Sequence, residues 1–106
     1  MKVLLLLCAA AAILSCGGQS TLGGACTKNA DCTIGQTCFL SEPGGFCSHG
    51  CSILGSTTEC PADSVCTYQG GTDLVCSPIC TADSACRQDY ACKALVVGGK
   101  SACAPK

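Results

Sequence analysis

The stretch Cys26-Thr27-Lys28-Asn29-Ala30-Asp31-Cys32-Thr33-Ile34-Gly35-Gln36-Thr37-Cys38-Phe39-Leu40-Ser41-Glu42-Pro43-Gly44-Gly45-Phe46-Cys47 decides how the chain is read. Four cysteines are separated by 5, 5 and 8 residues, and Gly44-Gly45 lies between the third and fourth. The pattern then recurs twice. Cys51, Cys60, Cys66 and Cys76 enclose Gly70-Gly71, and Cys80, Cys86, Cys92 and Cys103 enclose Gly98-Gly99. Three residues join each unit to the next, Ser48-His49-Gly50 and Ser77-Pro78-Ile79. Self-similarity at a fixed period marks a repeat architecture. The units are 26–47, 51–76 and 80–103, and unit two carries a longer first loop.

Gly pairs supply the positive-φ conformations of tight hairpin turns. The flanks are strand-like: Phe39-Leu40 and Phe46 in unit one, Thr67-Tyr68 and Leu74-Val75 in unit two, Leu95-Val96-Val97 in unit three. A short β-hairpin is therefore expected to close each repeat. The loops between second and third Cys place Gly35, Asp63 and Asp89 at the same centre, all turn formers. Cys or Gly interrupts every helical period, so little or no helix is expected beyond the amino-terminal segment.

Composition agrees with a small, disulfide-rich fold. Of 106 residues 14 are Cys and 13 Gly, only 4% are aromatic and there is no Trp. Burial alone cannot offset the conformational entropy of so lean a chain. A Cys content this high signals a cross-linked scaffold in an oxidising compartment. Beyond residue 15, Lys28, Arg87, Lys93, Lys100 and Lys106 face all seven acids of the chain. That slightly acidic balance argues against nucleic-acid binding through a basic patch.

Four cysteines per unit allow three pairings each. The pairing we favour is first-to-third and second-to-fourth, because interleaved links clamp the hairpin to the loop before it and nested links leave it hinged. This gives Cys26–Cys38, Cys32–Cys47, Cys51–Cys66, Cys60–Cys76, Cys80–Cys92 and Cys86–Cys103. On the chain-entropy account, loops of this size are stabilised by about 3 kcal/mol per bridge.

The amino terminus is a separate signal. Met1-Lys2 precedes an unbroken apolar run over residues 3–14, long enough for a secretory h-region and too short to span a bilayer. The run ends in Ile13-Leu14-Ser15-Cys16, which resembles the lipobox of bacterial lipoproteins, although Leu14 departs from the commoner Ala or Ser. The resemblance implies cleavage after residue 15 and diacylglycerol on the Cys16 thiol. Two or more acyl chains give stable membrane attachment. Parity is consistent: beyond Cys16 there are twelve cysteines, an even number. Gly17 lacks the Asp that resembles an inner-membrane retention signal, which places the protein at the outer membrane, facing the periplasm or the surface. Residues 16–25 then read as the lipidated Cys and a flexible Gly-rich tether.

The repeats, with Asn29-Ala30-Asp31 and Thr81-Ala82-Asp83-Ser84-Ala85 before the second Cys, are similar to the Cys-rich extracellular repeats of the Dickkopf type. Unit two departs from that pattern in its first gap. The resemblance implies a binding or structural module that is not an enzyme, and it carries over no functional residue.

The remaining chemistry is sparse. Ser or Cys nucleophiles need a base, and the one imidazole, His49, sits in a joint between units. No catalytic residue and no cofactor is expected. Cys47-Ser48-His49-Gly50-Cys51 has the spacing of a zinc knuckle, but an exported chain turns close thiols into disulfides. Asp31, Asp63, Asp73, Asp83 and Asp89 are each isolated and read as turn caps, not a calcium loop. The expected role is therefore a non-enzymatic, lipid-anchored envelope protein that recognises a protein or glycan. A secreted protease inhibitor or toxin-like protein, presenting loop 53–59 or Leu95-Val96-Val97, is one alternative. A metal-thiolate protein is the other.

Overall fold

A computed structural model describes residues 19–69, 72–95 and 99–106. The signal segment, Cys16, Gly70, Gly71, Val96, Val97 and Gly98 lie outside them. Among the described residues, six strands form three two-stranded antiparallel sheets. In unit one β1 (Thr37–Phe39) pairs with β2 (Phe46–Ser48). In unit two β3 (Ser64–Tyr68) pairs with β4 (Leu74–Pro78), and in unit three β5 (Tyr90–Ala94) pairs with β6 (Ser101–Pro105). Single 3-10 turns at Asn29–Asp31 and Asp83–Ala85 are the helical elements among the described residues. The fold is small and disulfide-rich, with one hairpin per repeat.

Register explains why the hairpins form where they do. In each sheet the third and fourth Cys stand directly opposite: Cys38 across from Cys47, Cys66 from Cys76, Cys92 from Cys103. They are ladder partners but not bonded partners. Each reaches back to the loop before its hairpin, giving Cys26–Cys38, Cys32–Cys47, Cys51–Cys66, Cys60–Cys76, Cys80–Cys92 and Cys86–Cys103. Their Cα–Cα separations of 5.5 to 6.0 Å lie in the usual disulfide range. A backbone hydrogen bond repeats beside the bridges. The side chain three residues after the first Cys accepts the amide of the third: Cys38 N–H to Asn29 Oδ1 at 2.9 Å, Cys92 N–H to Asp83 Oδ1 at 2.8 Å. In unit two the longer loop is instead gathered by Glu59, which accepts from the Ser52 and Ile53 amides and the Ser52 hydroxyl.

Three local expectations change. The ladders are centred on the third Cys, so β3 and β5 begin at Ser64 and Tyr90, inside segments assigned to the middle loops. Leu95 follows β5, although its amide still donates to the Lys100 carbonyl at 2.8 Å. In unit one the Gly44-Gly45 pair does not make a two-residue turn, because the connection between β1 and β2 runs over residues 40–45; Gly70, Gly71 and Gly98 of the other two pairs lie outside the described residues. In unit one the pair serves close approach instead. Gly44 and Gly45 adopt φ of 73° and 77°, and a Cβ on Gly45 would overlap the Cys26 carbonyl. The joints and the tether are also not linkers. The Cys76 amide donates to the His49 carbonyl at 3.1 Å, and the Cys47 amide donates to the Gly24 carbonyl at 3.0 Å. Ile79 bridges Ala102 in the same way. Each segment preceding a first Cys thus lies along the strand of its own unit's fourth Cys. Residues 20–25, expected as free tether, are held on unit one. A two-stranded hairpin has open edges whose amides and carbonyls need partners, and these segments supply them.

The units are joined by polar and aromatic contacts. Buried Ser48 donates to the Cys76 carbonyl at 2.6 Å. Buried Gln69 donates to Ser77 Oγ and, at 2.7 Å, to the Cys103 carbonyl. A small core takes Phe46 from unit one, Val75 from unit two and Tyr90 from unit three, with the two rings stacked at 5.5 Å between centroids. Arg87 lies 4.3 Å above the Tyr90 ring and donates to the Gly23 and Pro43 carbonyls at 3.1 and 2.6 Å. Unit three therefore folds back onto unit one.

Four substitutions at three positions test this account. Gly45→Ala is expected to lose about 2 kcal/mol or more through positive φ and overlap with backbone. Gly50→Ala, with nothing within 4 Å, should stay within about 0.5 kcal/mol of wild type in the same denaturation experiment. Arg87→Ala should cost about 1–3 kcal/mol for its hydrogen bonds and ring contact, and Arg87→Lys should recover only part, since an ammonium has one nitrogen where Arg87 uses two and has no planar face to lay on the Tyr90 ring.

Candidate functional site

A hollow lies between the hairpins of units two and three. It is an open groove of about 500 Å³ lined by Leu54, Thr67, Tyr68, Gln69, Lys93, Ala94, Leu95, Ala104, Pro105 and Lys106. The lining comes from strand ends: Thr67–Gln69 from the end of β3, Lys93–Leu95 from the end of β5 and Ala104–Lys106 from the end of β6. The disulfide at the centre of each hairpin fixes those ends. Tyr68 is half exposed over the groove, Leu54 borders it at 38% exposure, and Gln69 is buried in its floor. Lys93 and Lys106 are exposed at its rim. The chemistry is an apolar slot with a phenol ring and two ammonium groups. None of its lining side chains is a carboxylate, imidazole or thiol.

Both loops singled out from sequence border this groove, through Leu54 and Leu95. What sequence reasoning missed is Tyr68 with Lys93. The signal available was their place two and one residues after the third Cys of adjacent units, on corresponding hairpin strands. The remaining candidates are dispersed. Cys47 and Cys51 of the knuckle-like segment enter different disulfides, with Cys32 and Cys66, so no knuckle forms. His49 is half-buried and contributes its carbonyl to the sheet. Three sulfur clusters, such as Cys26, Cys32 and Cys47, hold their sulfurs within 4.8 Å of one another. They are disulfides lying side by side, and an oxidised sulfur is not a thiolate ligand. Cys16 and Val96-Val97 lie outside the described residues.

The acids divide by environment. The Thr27 amide and hydroxyl, at 2.8 and 2.9 Å, hold the Asp31 carboxyl below the usual range. The Ser52 hydroxyl and the Ile53 amide do the same for Glu59. Both act as turn caps. Glu42 is the exception. It is 2% exposed, its Oε2 has no hydrogen-bond partner, and burial followed by the Asp73 charge pushes its carboxyl up. It sits in the 40–45 connection whose Pro43 carbonyl receives Arg87 and Tyr90.

Compared with known proteins, the chain matches no family model, no curated protein and no solved structure.

The sign of the Glu42 effect follows from its raised folded-state pKa. The ionised form is penalised in the folded state, so the cost is complete above that pKa and absent below the unfolded value near ~4.3. Glu42→Gln should therefore raise the thermal midpoint at neutral pH and lose that advantage below about pH 4. Melting curves of both proteins across pH check this; equal midpoints at pH 7 contradict it.

Proposed function

We propose that the protein is a non-enzymatic binding module of the cell envelope, anchored by lipid on Cys16, which engages a protein or glycan partner in the groove between units two and three. The observation that carries the reading is the groove itself: an exposed aromatic ring and apolar walls on hairpins locked by disulfides. Rigid aromatic contact area costs little entropy on binding, which is why binding surfaces favour Tyr. A Tyr ring also stacks on sugar faces, and rim ammonium groups favour an acidic partner. Six disulfides belong to an oxidising, extracytoplasmic compartment. The lipobox-like Ile13-Leu14-Ser15-Cys16 supports the anchor, and Gly17 the outer membrane. No nucleic-acid partner and no cofactor enters this reading.

One observation favours a second reading, a protease inhibitor. Ile53 is 62% exposed in a loop bounded by Cys51 and Cys60 and gathered by Glu59. In that case purified oxidised protein would inhibit a protease, and Ile53→Ala would abolish inhibition while Tyr68→Ala would not.

The test of the leading reading is intact mass of protein from the native membrane fraction, with and without thiol alkylation, combined with photo-crosslinking from position 68. The expected mass begins at Cys16, carries acyl chains and gains nothing on alkylation, and the crosslinker captures one defined envelope component. Alkylatable thiols in the native protein would overturn the disulfide scaffold and favour the metal-thiolate alternative. Capture of the same component equally from an exposed control position outside the groove would remove the groove as the site.

A further inference from the structure

We infer that unit one is seated on the bilayer surface, with Ile34 inserted into the lipid interface. This rests on the lipid anchor proposed above and adds an orientation to it. The folded body begins close to Cys16. The Ser20 amide donates to the Asp31 carbonyl at 2.6 Å, and the Ser20 carbonyl accepts from the Thr33 amide at 3.1 Å. Only residues 17–19 separate Cys16 from that attachment. At the extended limit of ~3.5 Å per residue, Ser20 lies within about 14 Å of the lipidated residue. Such a leash cannot let the repeats roam; it holds unit one against the headgroups.

The surface at that point is suited to lipid. Thr33, hydrogen-bonded to Ser20, opens the turn Thr33-Ile34-Gly35-Gln36, whose tip is Ile34. Ile34 is 95% exposed, the most exposed large apolar side chain among the described residues. An isolated exposed Ile is unremarkable on a water-facing surface, but the repeats supply an internal comparison. The equivalent turns of units two and three read Pro61-Ala62-Asp63-Ser64 and Arg87-Gln88-Asp89-Tyr90. Their tips carry Ala62 and Gln88, and each turn holds a charge that insertion would have to desolvate. Only the turn beside the anchor exit is both uncharged and tipped by a large aliphatic side chain. An apolar residue buried ~5–10 Å into the headgroup boundary adds binding free energy to the acyl chains.

The chain has no Trp, so a single Trp reports on one turn at a time. Ile34→Trp, Ala62→Trp and Gln88→Trp would be made in the full-length lipoprotein. Each would be checked by intact mass for acylation and absence of free thiols. Each would then be reconstituted into phosphatidylethanolamine–phosphatidylglycerol vesicles with and without brominated acyl chains. The expected result is blue-shifted emission for Ile34→Trp and quenching at least about twofold greater than for the other two, as an interfacial depth requires. Equal quenching at all three positions, in protein whose mass shows the lipid, overturns the seating and leaves the anchor standing. A mass without lipid at Cys16 overturns the anchor, and the seating with it.

Discussion

Everything in this fold depends on one crossed arrangement of sulfur. In each repeat the third and fourth cysteines face each other across a two-stranded ladder, yet each is bonded to a cysteine in the loop before the hairpin. A hairpin of three to five residues a side is marginal in water. Two bridges leaving the same ladder position to two points of the preceding loop remove both the splaying of the strands and the swing of the loop. The side chain of Asn29 or Asp83 completes the clamp by occupying the third cysteine's amide. A unit with so few apolar side chains thus keeps a defined shape because its unfolded alternatives are restricted.

Constraint within units leaves a second problem, since each hairpin still has free edges and a thin core. The solution is nearly the same at each junction. Backbone ahead of the first cysteine is laid against the fourth cysteine's strand, and a polar side chain in the interior ties one unit to the next, directly through Ser48 or by way of Gln69. Linear repeat arrays contact only their neighbours. Here Arg87 and Tyr90 reach from unit three to the Pro43 carbonyl of unit one, so the array closes and Phe46, Val75 and Tyr90 can share one core. Buried Glu42 beside this closure is a polar group that the packing does not satisfy.

Divergence among the repeats is where function is concentrated under the proposed reading. The first loop of unit two is longer and brings Leu54 to the groove; the hairpin ends of units two and three bring Tyr68 and Lys93. Unit one differs in its Ser20-linked turn, the only one of the three equivalent turns without charge. A shared scaffold can present differently tipped loops in fixed positions, because the bridges constrain each unit.

Spacing and repetition alone determined the fold class, the three units and the placing of one hairpin in each, since cysteine intervals and turn-forming residues are local properties of a chain. The spacing left three pairings open in every unit, and the tertiary structure contains the crossed one because ladder register sets both hairpin cysteines toward the preceding loop. Strand limits were misjudged at Ser64 and Tyr90, where the ladder extends equally to both sides of the cysteine pair. The residues 20–25 looked like tether because small, uncharged residues carry no signal of the backbone pairing that holds them. Above all, the groove and the closure by Arg87 were invisible, because they join residues that are distant in sequence and brought together only when the three units pack.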